Sequence, residues 1–331
     1  MAVNKIKLAN KKILVCGATG FIGRNMLLKL ADTYTQVTAV WHEKRPFDTP
    51  ENVTWVNADL RDPVAANRMV QGHDTLVQAA ATTSGSRDIV SAPYMHVTDN
   101  AVMNSYLLRA SYEHSLAHFV FFSCSVMYAS SETPVKETDF TGDMEPKYFG
   151  AGWTKVYLER MCEFYAGLGR TKHTVVRHSN IYGPHDKFDL ERSHVCGATI
   201  SKALTADKKL TVWGDGSEKR DLLYIDDLVH FVELAFANQE IDYGLYNCGA
   251  GTIISIADLT AKIIAATEKP LEVIYDRTQP TIPFSLALDC SKALKELGWR
   301  PRVSLDEGFG KTIHWWQQNI DPKTLSLRTK A

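Results

Sequence analysis

Lys12-Ile13-Leu14-Val15-Cys16-Gly17-Ala18-Thr19-Gly20-Phe21-Ile22-Gly23 decides the fold. A short apolar run that reads as a buried strand is followed directly by Gly-x-x-Gly-x-x-Gly, and the third glycine falls where a helix opens. In that context each glycine has a task. Gly17 permits the tight turn, Gly20 lets the backbone approach a pyrophosphate, and Gly23 allows close helix–sheet contact, while the amides of the helix start stabilise phosphate charge. Gly17, Thr19, Gly20, Phe21, Ile22 and Gly23 are therefore candidate dinucleotide contacts.

Outward from this stretch, residues 12–17, 36–40, 54–57, 75–79, 118–123 and 174–177 read as buried strands, with helix-like segments between them. Residues 100–112 and 153–168 show the clearest helical spacing. Alternating strands and helices of crossover length predict a Rossmann-type, doubly wound parallel sheet of the α/β class. After Tyr182-Gly183-Pro184 the pattern loosens into turns, a short helix over 194–204 and the turn Trp213-Gly214-Asp215-Gly216. A smaller C-terminal α/β lobe is expected there. The division reads as a dinucleotide-binding domain over 10–180, to which 217–250 returns, and a substrate-binding lobe over 181–216 and 251–325.

The second strand of such a fold normally ends in an acidic residue that hydrogen-bonds the adenosine 2′-hydroxyl of NAD. Here Trp41 holds that place and His42, Lys44 and Arg45 follow, a set that suits the 2′-phosphate of NADP, while Glu43 leaves NAD open. Asp59 and Leu60 fall where the adenine would lie, and Ala79 and Ala80 supply small residues beside the cofactor.

The chain has 331 residues, 45% of them apolar and 23% charged, with a formal net charge of -1, so neither nucleic acid nor an anionic membrane is indicated as a partner. Cys16, Cys124, Cys162, Cys196, Cys248 and Cys290 are scattered without a Cys-x-x-Cys pair, which argues against a zinc site or a disulfide framework. Lys5, Lys7, Lys11 and Lys12 precede no apolar run of signal-peptide length, and no window could span a bilayer, so a cytoplasmic location is the expectation.

Several separate stretches together resemble the extended short-chain dehydrogenase/reductase family of nucleotide-sugar enzymes. They are the glycine motif, Asn100-Ala101-Val102-Met103-Asn104, Phe122-Ser123-Cys124-Ser125-Val126-Met127-Tyr128, residues 177–184, Lys219-Arg220-Asp221 with Asp226-Asp227, and Leu288-Asp289 through Gly298-Trp299. Asn180-Ile181-Tyr182-Gly183-Pro184-His185-Asp186-Lys187-Phe188 followed by Ser193-His194-Val195 is similar to the GDP-L-fucose synthase branch, which epimerises and then reduces a GDP-4-keto-6-deoxy-hexose. The resemblance makes His194 a candidate for proton transfer at carbon. It also implies a homodimer paired through the helix that bears Lys155, and the apolar Val156, Leu158 and Met161 agree with pairing or with core burial.

Members of that family usually carry Tyr and Lys four residues apart on one helix face, with Ser or Thr at the preceding strand end. Tyr exchanges the hydroxyl proton as hydride moves, Lys holds the ribose and lowers the Tyr pKa, and Ser or Thr polarises the carbonyl. Lys155 matches the lysine, but Ala151 stands where the tyrosine is expected. Tyr148, seven residues before Lys155, would sit about 10 Å from it along a continuous helix, and reaches the nicotinamide only if 146–152 is irregular. At the strand end Cys124 occupies the usual Ser or Thr position with Ser123 and Ser125 beside it; alternation places these two serines on one side, and Ser125 ranks first.

The resemblance further implies that His178 lies by the cofactor, that Lys202 and Arg220 grip the nucleotide diphosphate, and that Asn180 and Trp213 line the substrate site. Where the family often shows Gly and Arg, residues 281–286 read Thr-Ile-Pro-Phe-Ser-Leu, so a different sugar pocket is expected. The expected activity is NAD(P)-dependent oxidation or reduction at C4 of a GDP-linked deoxy- or higher-carbon sugar, with C3/C5 epimerisation open. The alternatives are a redox-neutral epimerase and a non-catalytic cofactor-binding descendant.

Overall fold

The computed structural model describes residues 10–82, 92–190, 193–279, 281 and 284–322; Lys5, Lys7, Ile282 and Pro283 lie outside them. Seven parallel strands form the main sheet in the order β3-β2-β1-β4-β5-β6-β11: Val53–Asn57 (β3), Gln36–Trp41 (β2), Lys12–Cys16 (β1), Thr75–Gln78 (β4), His118–Phe122 (β5), Lys172–His178 (β6) and Tyr243–Cys248 (β11). The strand order reverses between β1 and β4, the position at which such sheets open a crevice beyond their carboxyl ends. The central strands are apolar because both faces are covered, and β4 and β5 are buried along their whole length. The expectation of a buried strand fails for β3, an edge strand whose residues are half-buried or exposed.

The helices are Phe21–Ala31 (α1), Pro63–Val70 (α2), Thr98–Glu113 (α3), Phe149–Gly167 (α4), Val195–Thr205 (α5), Ile225–Asn238 (α6), Ile256–Thr267 (α7), Ser291–Leu297 (α8) and Leu305–Asn319 (α9). Helix α4 starts four residues earlier than the sequence suggested. The irregular backbone that would let Tyr148 fold back is confined to one 3-10 turn, Pro146–Tyr148, which holds Tyr148 itself ahead of the helix, while Ala151 is helical.

Beyond β6 the chain builds three two-stranded pairs: Asn180–Tyr182 (β7) with Leu222–Tyr224 (β10), Lys209–Trp213 (β8) with Glu272–Asp276 (β13), and Lys219–Arg220 (β9) with Ile254–Ser255 (β12). Two buried carboxylates stitch these parts together. Asp221 accepts from the amides of Ala250, Gly251 and Leu288, and Asp227 from those of Arg302 and Val303. Five backbone amides from distant segments thus find partners at Asp221 and Asp227 that regular strands could not supply.

Candidate active site

The glycine motif is held as its sequence requires. Gly17 turns sharply after β1 with φ +68°, and a β-carbon there would lie 2.5 Å from the Ala80 backbone at the end of β4. The Gly20 amide bonds the Gly17 carbonyl and caps α1, and a β-carbon on Gly23 would collide with that same carbonyl. Gly17, Gly20, Ala79 and Ala80 thereby form a backbone-lined cradle at the reversal point, which fits the pyrophosphate of a dinucleotide. Gln78 and Asn104 bond each other beneath it, while Asn100 bonds both backbone groups of Thr82.

At the end of β2, His42, Lys44 and Arg45 are exposed as expected for a binding loop. The Asp59 carboxylate is bound to Arg61 at 2.9 Å, with His42 3.8 Å away, and Arg61 lowers its pKa through that hydrogen bond. Asp59 is thus already engaged by a cation. Leu60 is buried in the core at 5% exposure.

Lys155 reaches the carboxyl end of β5, where its Nζ donates to the Phe122 carbonyl at 2.7 Å and lies over the Phe121 ring. Burial lowers the Lys155 pKa, and the Cys124 thiol nearby opposes that. Cys124 is half-buried beside it; burial raises its pKa, against the Lys155 charge and the Val126 amide. His178 bonds the Ser179 carbonyl at 2.7 Å and is pushed down to about 4 by burial, with the Lys155 and His194 charges adding to the effect. His194 precedes the first residue of α5 with part of its surface open to solvent; the protein packed around it lowers its pKa, and the Lys187 charge adds to this.

The Ser123 hydroxyl is buried and donates to Glu159 Oε1, which holds it in the protein interior. Ser125 and Cys124 are left as the half-buried pair at this turn.

Ala151 stands one helical turn before Lys155, and no phenol occupies that position. Tyr148 caps the start of α4 with its ring edge-on to Phe284 at 6.4 Å. Burial raises its pKa; the Arg220 charge opposes this, and Cys124 and Glu145 add to it. Arg220 donates to the carbonyls of Lys219 and Phe284. Asn180 is tied to the Asp221 carbonyl, and Lys202 donates to the Thr211 carbonyl with its amine 5.6 Å from the Trp213 ring, which is 48% exposed.

A family model described as the NAD dependent epimerase/dehydratase family matches residues 13–249. The chain belongs to this family. It is 27% identical over 314 residues to a GDP-L-fucose synthase of Azorhizobium caulinodans, covering 92% of this chain and 96% of that protein. It is also 27% identical to a dTDP-4-dehydro-6-deoxy-D-allose reductase of a Streptomyces species, covering 93% and 97%. The crystal structure of a UDP-glucose 4-epimerase with UDP-glucose from Thermotoga maritima superposes with a TM-score of 0.84 at 25% identity, covering 94% of this chain and all of that one. The fold class read from the sequence is therefore that of a nucleotide-sugar epimerase, reductase or dehydratase family whose members depend on NAD(P).

Among features of this epimerase/dehydratase chain that the sequence did not flag, Asp186 stands out. Burial raises its pKa to about 7, and its Oδ1 accepts from the Lys187 amide. A carboxylate in a quoted motif carries no mark of its burial, because the covering segment around Gly197 arrives only through the fold. Of the two readings open for Val156 and Leu158, core burial holds, at 7% and 0% exposure; the exposed large side chains of α4 are Phe149, Trp153, Tyr157 and Phe164.

Proposed function

We propose that the chain is an NAD(P)-dependent enzyme that oxidises or reduces C4 of a GDP-linked deoxy- or higher-carbon sugar. The observation that carries this reading is the convergence of the glycine cradle and the Lys155 amine at the carboxyl ends of β1, β4 and β5. The cofactor, when bound, exchanges a hydride with the sugar. Gly17, Gly20, Ala79 and Ala80 would hold its pyrophosphate, and Lys155 its nicotinamide ribose. Cys124 and Ser125 would face the sugar carbonyl, and His194, whose pKa its surroundings lower, would serve as a base at a carbon next to that carbonyl.

NADP is the proposed cofactor, because no carboxylate ends β2 and His42, Lys44 and Arg45 surround the place of the 2′-hydroxyl. Lys202, Arg220, Asn180 and Trp213 would contact the sugar nucleotide. In this reading residues 10–180 and 217–250 carry the cofactor, and 181–216 with 251–325 carry the substrate. The aromatic face of α4, with Phe149, Trp153 and Tyr157 at four-residue spacing, supports pairing of two copies through that helix.

The test is an anaerobic absorbance measurement near 340 nm on the purified protein with NADPH or NADP, repeated with a panel of GDP-linked sugars and GDP-4-keto sugars. Oxidation or reduction of the nicotinamide with one sugar supports the proposal. Binding of the same sugars with no change in absorbance refutes the redox step; product analysis then separates redox-neutral epimerisation from a chain that only binds.

A further inference from the structure

We propose that Tyr148 donates the proton in this site and that Arg220 stabilises the charge left on its oxygen, so that the pair replaces the phenol absent at position 151 and sets the site for reduction. This rests on the functional reading above and assigns it a direction.

Two contacts converge on Phe284. The Tyr148 ring packs edge-on against the Phe284 ring, at 6.4 Å and 75°, and Arg220 Nη1 donates to the Phe284 carbonyl. The same residue therefore holds the phenol ring through its own ring and the guanidinium through its carbonyl. The 3-10 turn before α4 sets the direction of approach, since the Tyr148 amide bonds the Glu145 carbonyl and Lys147 Nζ bonds the Thr281 carbonyl. Among the described residues no group hydrogen-bonds the Tyr148 hydroxyl, so a half-buried donor is left for a ligand.

The charged and titratable groups that reach this phenol are Arg220 from β9, Cys124 from the turn after β5, and Glu145 from the preceding loop. Burial dominates and keeps the hydroxyl protonated at neutral pH, which suits a donor and not a base. Arg220 acts in the opposite sense and favours the phenolate once the proton has gone. Lys155 is engaged elsewhere, with its amine on the Phe122 carbonyl and the Cys124 and Cys162 thiols and the Glu159 carboxylate as its titratable neighbours. The usual division of labour is thus rearranged. Lys155 is left to the cofactor ribose, and the cation that serves the phenol arrives from β9.

The step balances as a ketone reduction. NADPH, held by the glycine cradle and Lys155, would supply the hydride for the new C–H bond at the sugar carbonyl carbon and be left as NADP. The C=O π pair moves to oxygen, and the Tyr148 O–H breaks to give that oxygen its proton. The phenolate, beside Arg220, is reprotonated from solvent, and the oxidised nicotinamide leaves.

The experiment combines turnover with a titration that needs no substrate. Tyr148→Phe keeps the ring on Phe284 and removes only the hydroxyl; with NADPH and GDP-4-keto-6-deoxy-hexose its single-turnover rate should fall by about 10²-fold or more at unchanged NADPH affinity. In parallel, 3-fluorotyrosine is placed at position 148 and its ¹⁹F shift is followed against pH in the full-length protein, in Arg220→Lys and in Arg220→Gln. The midpoint should rise by at least half a pH unit in Arg220→Gln and stay near wild type in Arg220→Lys, a rescue that a merely structural arginine would not show. An unchanged midpoint in Arg220→Gln overturns the pair, and a Tyr148→Phe rate within threefold of wild type overturns Tyr148 as donor. If the wild-type protein reduces none of the sugars, the functional reading fails instead, and the ¹⁹F titration still decides whether Arg220 serves Tyr148.

Discussion

Replacing Glu159 by leucine should unfold the protein at a markedly lower temperature, because it strands a charge in the interior. Glu159 and Arg177 are both 3% exposed and meet at 2.6 Å and 3.0 Å in a two-point contact, while Arg177 also donates to the Tyr128 hydroxyl and the Glu137 carbonyl. Burial works against the Arg177 charge, and the bonded Glu159 carboxylate more than offsets it. Breaking such a pair from one side typically costs about 3–5 kcal/mol, since the remaining charge is neither hydrated nor paired. At about 2 °C per kcal/mol for a large chain, Tm should fall by about 6–10 °C in calorimetry or a thermal fluorescence scan. The double variant Glu159→Leu with Arg177→Met removes both charges and should recover most of the loss. Glu159 lies one helical turn after Lys155 on α4, so the single variant should also weaken NADPH binding more than the double does. A single variant melting within 2 °C of wild type, or a double variant losing the sum of the two singles, would refute this account of the pair.

Gly17→Ala should abolish NADPH binding and lower Tm, because the left-handed backbone costs about 1–2 kcal/mol for a residue with a β-carbon and the contact with Ala80 adds about 1–3 kcal/mol of overpacking; cofactor titration at wild-type affinity would contradict it. Acid should destabilise the fold through His118 and His173, both pushed down to about 3 by burial. Their folded values lie below that of the free imidazole, so the stability they contribute is present above about pH 6.5 and is lost as pH falls, by about 2 kcal/mol each at pH 5. Urea midpoints at pH 7 and pH 5 should show that loss, with a smaller difference in His173→Phe; equal midpoints would exclude it. Trp153→Glu with Tyr157→Glu, on exposed α4 positions, should convert a dimer to a monomer in light scattering with Tm otherwise kept; an unchanged mass would place the interface elsewhere.

The fold was legible because local signals agreed: the apolar run before Gly17, the helix after it, and the strands at 36–40, 75–79 and 118–123 all fall within a residue or two of β1, α1, β2, β4 and β5. The lysine and the absence of its tyrosine partner were legible for the same reason, since both are fixed by spacing on one helix. What could not be read was what each side chain meets. The ranking of Ser125 above Ser123 has no contact behind it until the fold brings Glu159 of α4 to the Ser123 hydroxyl, with Arg177 of β6 on the same carboxylate. Tyr148 looked remote because its reach depends on where α4 begins, and that is set by a 3-10 turn with no strong sequence signal. Val156 and Leu158 were offered for pairing because helical spacing marks an apolar face without saying whether core or partner covers it.

The Asp221 carboxylate also ties the local stability of two distant segments to one side chain. It collects amides 29, 30 and 67 residues further along, two just after β11 and one in the strip that carries Phe284. An opening that frees the carboxylate releases all three at once, so in native-state hydrogen exchange the amides of Ala250, Gly251 and Leu288 should open together as one unit, and the strip that holds Arg220 loosens with them.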